Sequence, residues 1–245
     1  MPWAADPADK VAWARARKVR EAMNLAVDKN TIVKTIIAGQ GTPAKYCYAV
    51  PGSAFDDPQW KAVPYDAARA KKLLAEAGYP NGFEFPLLLV EVPGRPGVPE
   101  VGEAVAQYWQ AIGLRPKLQR ADYTATVRPP LLQRQLAGTA YTFAFFSVDE
   151  PVVGHSGGWS SKADGTHGSE YAPMDDLIDK ALATADYKER RAIQLQIGKM
   201  AQDEFFQVPV AWVNGLWGGS KKIKDFPRLA GVPGVYNFEY VVPNR

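Results

Sequence analysis

Cysteine is almost absent from this chain: Cys47 is the only one in 245 residues. That excludes an internal disulfide while leaving either redox compartment open. Histidine is nearly as scarce, with only His155 and His167. Neither sits at a short metal-ligand spacing and no second cysteine can help, so the sequence gives no support for a metal site. No apolar run approaches the roughly 20 residues of a membrane-spanning helix, and the N-terminus lacks a charged-then-apolar export pattern. Net charge is only +3. The dense basic spots, Arg15 to Arg20 and Lys221 to Lys224, read as solvated faces rather than a nucleic-acid footprint. There is no phosphate loop, dinucleotide fingerprint, internal repeat or low-complexity segment.

What is present is enough for a core. Hydrophobic residues make up 47% and charged residues 22%, the balance of a folded chain of one large or two modest domains. The most informative stretch is YDAARAKKLLAEAGYPNGF, Tyr65 to Phe83. Asp66 can accept from the first free amides of a helix, and Gly78 can adopt the left-handed conformation that ends one. Ala70, Leu73, Leu74 and Ala77 recur at the spacing of one buried face, and burying the two leucines contributes about 1.5–3 kcal/mol each. Pro80, Asn81 and Gly82 then turn the chain into a strand over Phe83 to Glu91.

The same reading along the chain predicts helices over Arg17 to Val27 and Asn30 to Ala38, then an irregular region to Pro64. A helix over Glu100 to Ile112 and a strand over Leu114 to Arg120 follow a Pro/Gly loop. Asp122 can cap a helix reaching Leu136, which Pro129 and Pro130 must break or restart. YTFAFFSV reads as a strand, Met174 to Ala183 and Tyr187 to Phe206 as helices, and Val208 to Asn214 as a final buried strand before a Gly/Pro-rich tail. Helices alternating with strands give an α/β fold, a mixed sheet flanked by helices.

Three blocks carry a resemblance. The Tyr65 to Phe83 block, VREAMNLAVDKNTIV at Val19 to Val33 and the intervening GTPAKYCYAVPGS are similar to signatures of the family 5 extracellular solute-binding proteins, the peptide, nickel and oligosaccharide receptors of ABC importers. The resemblance implies a periplasmic-binding-protein-like lobe from a type II two-lobed receptor. Residues 1–16 would lead into the lobe, 17–206 would form the second, C-terminal ligand-binding lobe, and 207–245 would return to a first lobe. Members are typically much longer, so the first lobe, its signal peptide and half of the ligand site are expected to be missing, whether the chain is excised, truncated or split. The implied partners are a small-molecule or peptide ligand, the missing lobe and an ABC permease; the residues themselves point to no nucleic acid, cofactor or metal. The implied location is periplasmic or extracellular.

Ligand-facing groups are expected between Tyr141 and Tyr171, where an aromatic strand enters a long polar loop. In peptide-binding members an aspartate four residues ahead of the proline of a Glu-Pro or Asp-Pro pair takes the peptide's amino terminus. Alignment on Glu150 and Pro151 puts Ser147 there. A hydroxyl cannot neutralise an ammonium, so amine recognition would fall to Asp149. Phe146 is a stacking candidate on one strand face, opposite Phe143 and Phe145. Trp159 follows two glycines in a polar loop, with either ligand stacking or packing against the missing lobe as its role. Tyr123 and Arg128 lie just past a strand end, and Glu150 is either a ligand group or part of a solvated turn.

Two competing readings attach to particular residues. Gly154-His155-Ser156-Gly157-Gly158 fits the G-x-S-x-G form of a hydrolase elbow. The elbow needs a strand directly into the serine and a helix directly out, whereas Asp-Glu-Pro interrupts the strand and GGWSSKADG is a poor helix start. Asp164 and His167 would complete a Ser156 triad within too short a segment to be held rigidly. An enzyme is therefore not expected. The third reading is a self-associating lobe, pairing through a strand edge at Val208 to Asn214.

Overall fold

The computed structural model describes residues 1–144, 150–162, 170–215, 220–225 and 241–244. Aspartate caps open four of its helices. Asp9 accepts from the amides of Val11 and Ala12 to start α1 (Lys10–Leu25), and Asp28 accepts from Thr31 to start α2 (Lys29–Thr35). After strand β1 (Gly41–Pro43) and an irregular segment, Asp66 accepts from Arg69 N at 2.9 Å to start α3 (Ala67–Glu76). Gly78, at φ +88°, follows that helix as its sequence predicts. Replacing Asp66 with alanine is expected to lower stability by about 1 kcal/mol in urea denaturation.

Beyond α3 the chain alternates strand and helix. β2 (Glu84–Glu91), α4 (Val98–Ala111) and β3 (Arg115–Asp122) are followed by a π turn at Tyr123–Val127, the short α5 (Arg128–Leu132) and β4 (Ala140–Tyr141). Then come α6 (Val152–Trp159), α7 (Asp175–Ala183), and α8 (Tyr187–Asp203), the last capped by Asp186. β5 (Ala211–Val213), β6 (Ile223–Asp225) and β7 (Val242–Pro243) complete the described elements.

The main sheet has the order β3-β2-β4, all parallel, with β2 and β3 paired along their full length from Glu84↔Arg115 to Glu91↔Asp122. β1 with β5 and β6 with β7 are separate antiparallel ribbons. Alternation along β2 sends Phe85, Leu87 and Leu89 into a first core with Leu74 of α3, Trp109 of α4 and Val19 and Leu25 of α1. A second core gathers Tyr46, Tyr48, Phe55 and Trp60 from the irregular segment with Trp159, Ile178, Ile193 and Ile197 from α6, α7 and α8.

A buried clasp joins α1 to the end of α8. Arg20 donates to the Glu204 carboxylate at 2.9 Å, to the Glu204 carbonyl at 2.7 Å and to the Trp3 carbonyl at 2.9 Å. Its guanidinium lies 4.5 Å over the Trp13 ring, and Trp13 Nε1 donates to the same Glu204 carboxylate. Burial lowers the guanidinium to about 10, opposed by Glu204. Arg20 is 5% exposed, so it departs from the solvated basic face that its neighbourhood in sequence suggests.

Several boundaries differ from expectation for identifiable reasons. α1 starts at Lys10 rather than Arg17, because Asp9 supplies the cap; residues 10–16 thus share one helix with the lobe that follows. Asp122 does cap, accepting from Ala125 N at 2.6 Å, but what it opens is the π turn; Pro129 and Pro130 restart the chain in the first turn of α5, which ends at Leu132 rather than Leu136. The strand expected over YTFAFFSV is described only at Ala140–Tyr141, and residues 145–149 lie outside the description. β5 is half-buried to exposed rather than buried, since β1 is its only described strand neighbour. Among the described residues no helix is long and apolar enough to cross a membrane.

Candidate functional site at the carboxyl end of the parallel sheet

All three strands of the main sheet run the same way, so their carboxyl ends, near Val90, Asp122 and Tyr141, meet on one edge. In open α/β sheets ligand crevices form outside such edges. Pairing there is extended by Thr142, whose amide donates to Leu88 O at 2.9 Å and whose hydroxyl accepts from Val90 N at 2.8 Å. Gly102 of α4 lets that helix approach: a Cβ there would lie 2.4 Å from Thr142 Cγ2. The helix thereby fixes the backbone immediately before residues 145–149.

Three rings converge on this edge. Tyr123 and Phe143 have centroids 5.0 Å apart, and Tyr141 stands edge-on to Phe143 at 6.5 Å. Burial pushes the Tyr141 phenol above its ordinary range, so it is a neutral hydroxyl. Arg95, from the loop between β2 and α4, reaches across and donates to the Ala144 carbonyl at 3.0 Å. Partial burial lowers its pKa, yet a guanidinium retains its charge at neutral pH. The edge therefore gathers aromatic faces beside a guanidinium.

The residues expected from sequence are distributed unevenly. Tyr123 is at the edge and half-buried. Arg128 heads α5, is exposed and forms no ion pair with the described residues. Phe146, Ser147 and Asp149 lie outside the described residues, as do Asp164 and His167. Glu150 is neither a solvated turn nor free for a ligand. Arg190 of α8 donates to it through Nε and Nη2, and Gln194 donates at 2.8 Å. The Arg190 bond holds its carboxyl below the usual range. Arg95 is not singled out by the sequence reading, and Phe143 enters it only as a member of one of two alternative strand faces; the parallel order of β2 and β4 brings the two together at this edge.

Trp159 requires correction. It ends helix α6 rather than standing in a polar loop, and it is 0% exposed. Its ring lies 5.9 Å from Tyr46, 5.0 Å from Tyr48 and 5.4 Å from His155. Gly154 and Gly158 form a notch on α6 filled by the Tyr48 ring: a Cβ at either would approach it within 2.7 and 2.6 Å. The ring contacts offset the poor helix propensity of the glycines, about 1 kcal/mol each. The G-x-S-x-G sequence is thus a packing surface within a helix and not a strand-to-helix elbow. His155 is committed to the Tyr46 hydroxyl at 3.0 Å.

A cavity of about 200 Å³ lies beside Trp159, lined by Asn24, Tyr46, Gln202 and Gln207 among others, and shares no residue with the carboxyl edge. Among the described residues no group of three or more His, Cys, Asp or Glu gathers to hold a metal ion.

The fold is that of the type II periplasmic binding proteins. The chain belongs to the bacterial extracellular solute-binding proteins of family 5, whose middle-region model matches residues 7–149. It is 29% identical over 219 residues to heme-binding protein A of Haemophilus influenzae, covering 85% of this chain and 39% of that protein. A 66-residue stretch, 27% of this chain and 12% of the relative, is 48% identical to the glutathione-binding protein GsiB of Escherichia coli K12. The periplasmic binding protein DppA of Helicobacter pylori, solved with the peptide STSA, superimposes with a TM-score of 0.74 at 22% identity, over 94% of this chain and 44% of that one. The chain thus spans less than half the length of these relatives.

Proposed function

We propose that this chain is the C-terminal part of a periplasmic or extracellular solute-binding protein that captures a small solute, peptide-like or other, and delivers it to an ABC importer. Family membership supports the class, and the observation that carries the site is the convergence of Arg95, Tyr123 and Phe143 at the carboxyl edge. Residues 17–206 make the second lobe, with 10–16 joined to it through α1, and 207–245 return to a first lobe. Closure of two lobes on the solute would supply the form that docks on the permease, favoured only by the solute's tighter binding to the closed form. Alone, this chain holds half of the contacts and should bind weakly. The reading assigns no catalytic step.

The test uses the whole two-lobed receptor, titrated calorimetrically with hemin, glutathione and the peptide Ser-Thr-Ser-Ala, the ligand types of the relatives. Binding of one probe is expected, weakened roughly ten- to hundredfold by Arg95→Ala or Tyr123→Ala through loss of a charged hydrogen bond or a stacking face. Variants that bind like the parent would displace the site from this edge. Failure of every probe, extended to a wider solute panel, would overturn the receptor reading.

A further inference from the structure

We propose that α6 comes away from the lobe as a local unit on acidification, ahead of the rest of the fold, with protonation of His155 as the trigger. The inference is independent of which solute the lobe binds. α6 is a helix that its own sequence does not support. Of its eight residues, VVGHSGGW, three are glycines and two are β-branched. Each glycine costs about 1 kcal/mol against alanine, and isolated helices shorter than about 12 residues are marginal in water in any case. The N-cap is Pro151, which offers no side-chain bond to the first free amides. Docking is therefore what makes the segment helical. Gly154 and Gly158 admit the Tyr48 ring, and His155 and Trp159 are fully buried.

His155 is the weak member of that docking surface. Its Nε2 meets the Tyr46 hydroxyl, and its Nδ1 has no partner among the described residues. The titratable groups facing the ring, Tyr46 and Tyr48, both come from the irregular segment and are neutral. The charged groups that α7 and α8 bring to the two ends of α6 are committed elsewhere. Asp175 of α7 accepts from the Ser161 amide at 2.9 Å, and Arg190 of α8 donates to Glu150. Among the described residues, then, none neutralises an imidazolium, and the ring takes a proton only by reaching water. Burial alone holds it at about 3, against 6.5 in solvent. Below pH 6.5 the open form binds a proton that the docked form refuses, so opening gains about tenfold per pH unit until about pH 3.

The ties to Asp175 and Arg190 also bound the opening. Glu150 precedes α6 and Ser161 follows it, so the helix between them can leave with both ties in place. The Arg190 bond holds the Glu150 carboxyl below its usual range, which preserves that tie as the medium acidifies. The first core shares no residue with the second. Undocking α6 thus disturbs one core, whereas global unfolding breaks both, and small openings of this kind lie below the global one in free energy.

The experiment is native-state hydrogen exchange by NMR on the 245-residue chain at pH 7.5 and 4.5, in a series of low urea concentrations, with rates corrected for the pH dependence of chemical exchange. Amides of Gly157, Gly158 and Trp159 report α6, and those of Leu87 and Leu89 in β2 report the first core. The α6 amides should be less protected than those of β2 at both pH values and respond little to urea, the mark of a small opening. They should lose roughly a hundredfold in protection between pH 7.5 and 4.5, from the two pH units below 6.5. In His155→Gln that pH response should disappear. Gly158→Ala, whose Cβ would lie 2.6 Å from the Tyr48 hydroxyl, should speed α6 exchange at pH 7.5 and keep the hundredfold response, which tests the docking should His155→Gln not fold. One protection and one urea dependence shared by α6 and β2 would mean that α6 opens only with the whole lobe. That result, α6 exchange indifferent to pH, or a pH response that survives in folded His155→Gln would each overturn the proposal.

Discussion

Lowering the pH from 6.5 toward 3 is expected to cost this lobe about 5 kcal/mol of stability through His155 alone, the product of its pKa displacement and about 1.4 kcal/mol per unit. His155 is fully buried, and burial lowers its pKa from 6.5 to about 3. Its Nε2 meets only the Tyr46 hydroxyl, and its Nδ1 has no partner among the described residues. The titratable groups packed against the ring, Tyr46 and Tyr48, are themselves held neutral by burial, so among the described residues no carboxylate compensates an imidazolium. Between the two pKa values the unfolded chain binds a proton that the folded chain refuses. Stability from this residue is thus fully present above 6.5 and falls as pH decreases, levelling off only below about 3. Urea denaturation at a series of pH values measures the slope. In His155→Gln, which keeps a polar partner for Tyr46 without titrating, most of the decline between pH 6.5 and 4.5 should vanish. An unchanged slope would show that His155 is solvated or paired.

Trp159→Ala should destabilise the fold by about 3–5 kcal/mol, the range for deleting a buried tryptophan. The ring has no exposed surface, and it touches Tyr46, Tyr48 and His155 as well as facing Phe206 at 6.5 Å. Because it also borders the 200 Å³ pocket, truncation would open that pocket toward the second core. A ligand-stacking tryptophan behaves oppositely, losing affinity with little change in stability. Paired measurement of the denaturation midpoint and of solute affinity in the whole receptor separates the two. Unchanged stability would mean that α6 is not docked as described.

What could be read in the sequence follows from the reach of the interactions concerned. The caps of α3 and its buried stripe of Ala70, Leu74 and Ala77 depend on bonds and faces spanning a turn or two, so composition and spacing suffice. β2, bounded by a Pro-Asn-Gly turn, was legible for the same reason, and with the family blocks it specified an α/β binding-protein lobe. At the site, Tyr123 was visible as a residue just beyond a strand, whereas the Arg95 contact to the Ala144 carbonyl spans 49 residues and depends on strand order.

The sequence by itself thus determined which segments are helices and strands over most of the described chain, and the family to which they belong. The tertiary structure alone decided the fate of individual polar and aromatic groups. Arg20 reads as one basic residue among several until Glu204, 184 residues away, is placed against it. Glu150 becomes an anchor only because Arg190 of α8 faces it, and two unpromising glycines make a helix only because the Tyr48 ring fills the notch between them. Local free energies of a fraction to about 1 kcal/mol per residue set secondary structure where nothing opposes them, and the burial of a large ring or a paired charge, worth several times more, overrides them where distant segments meet.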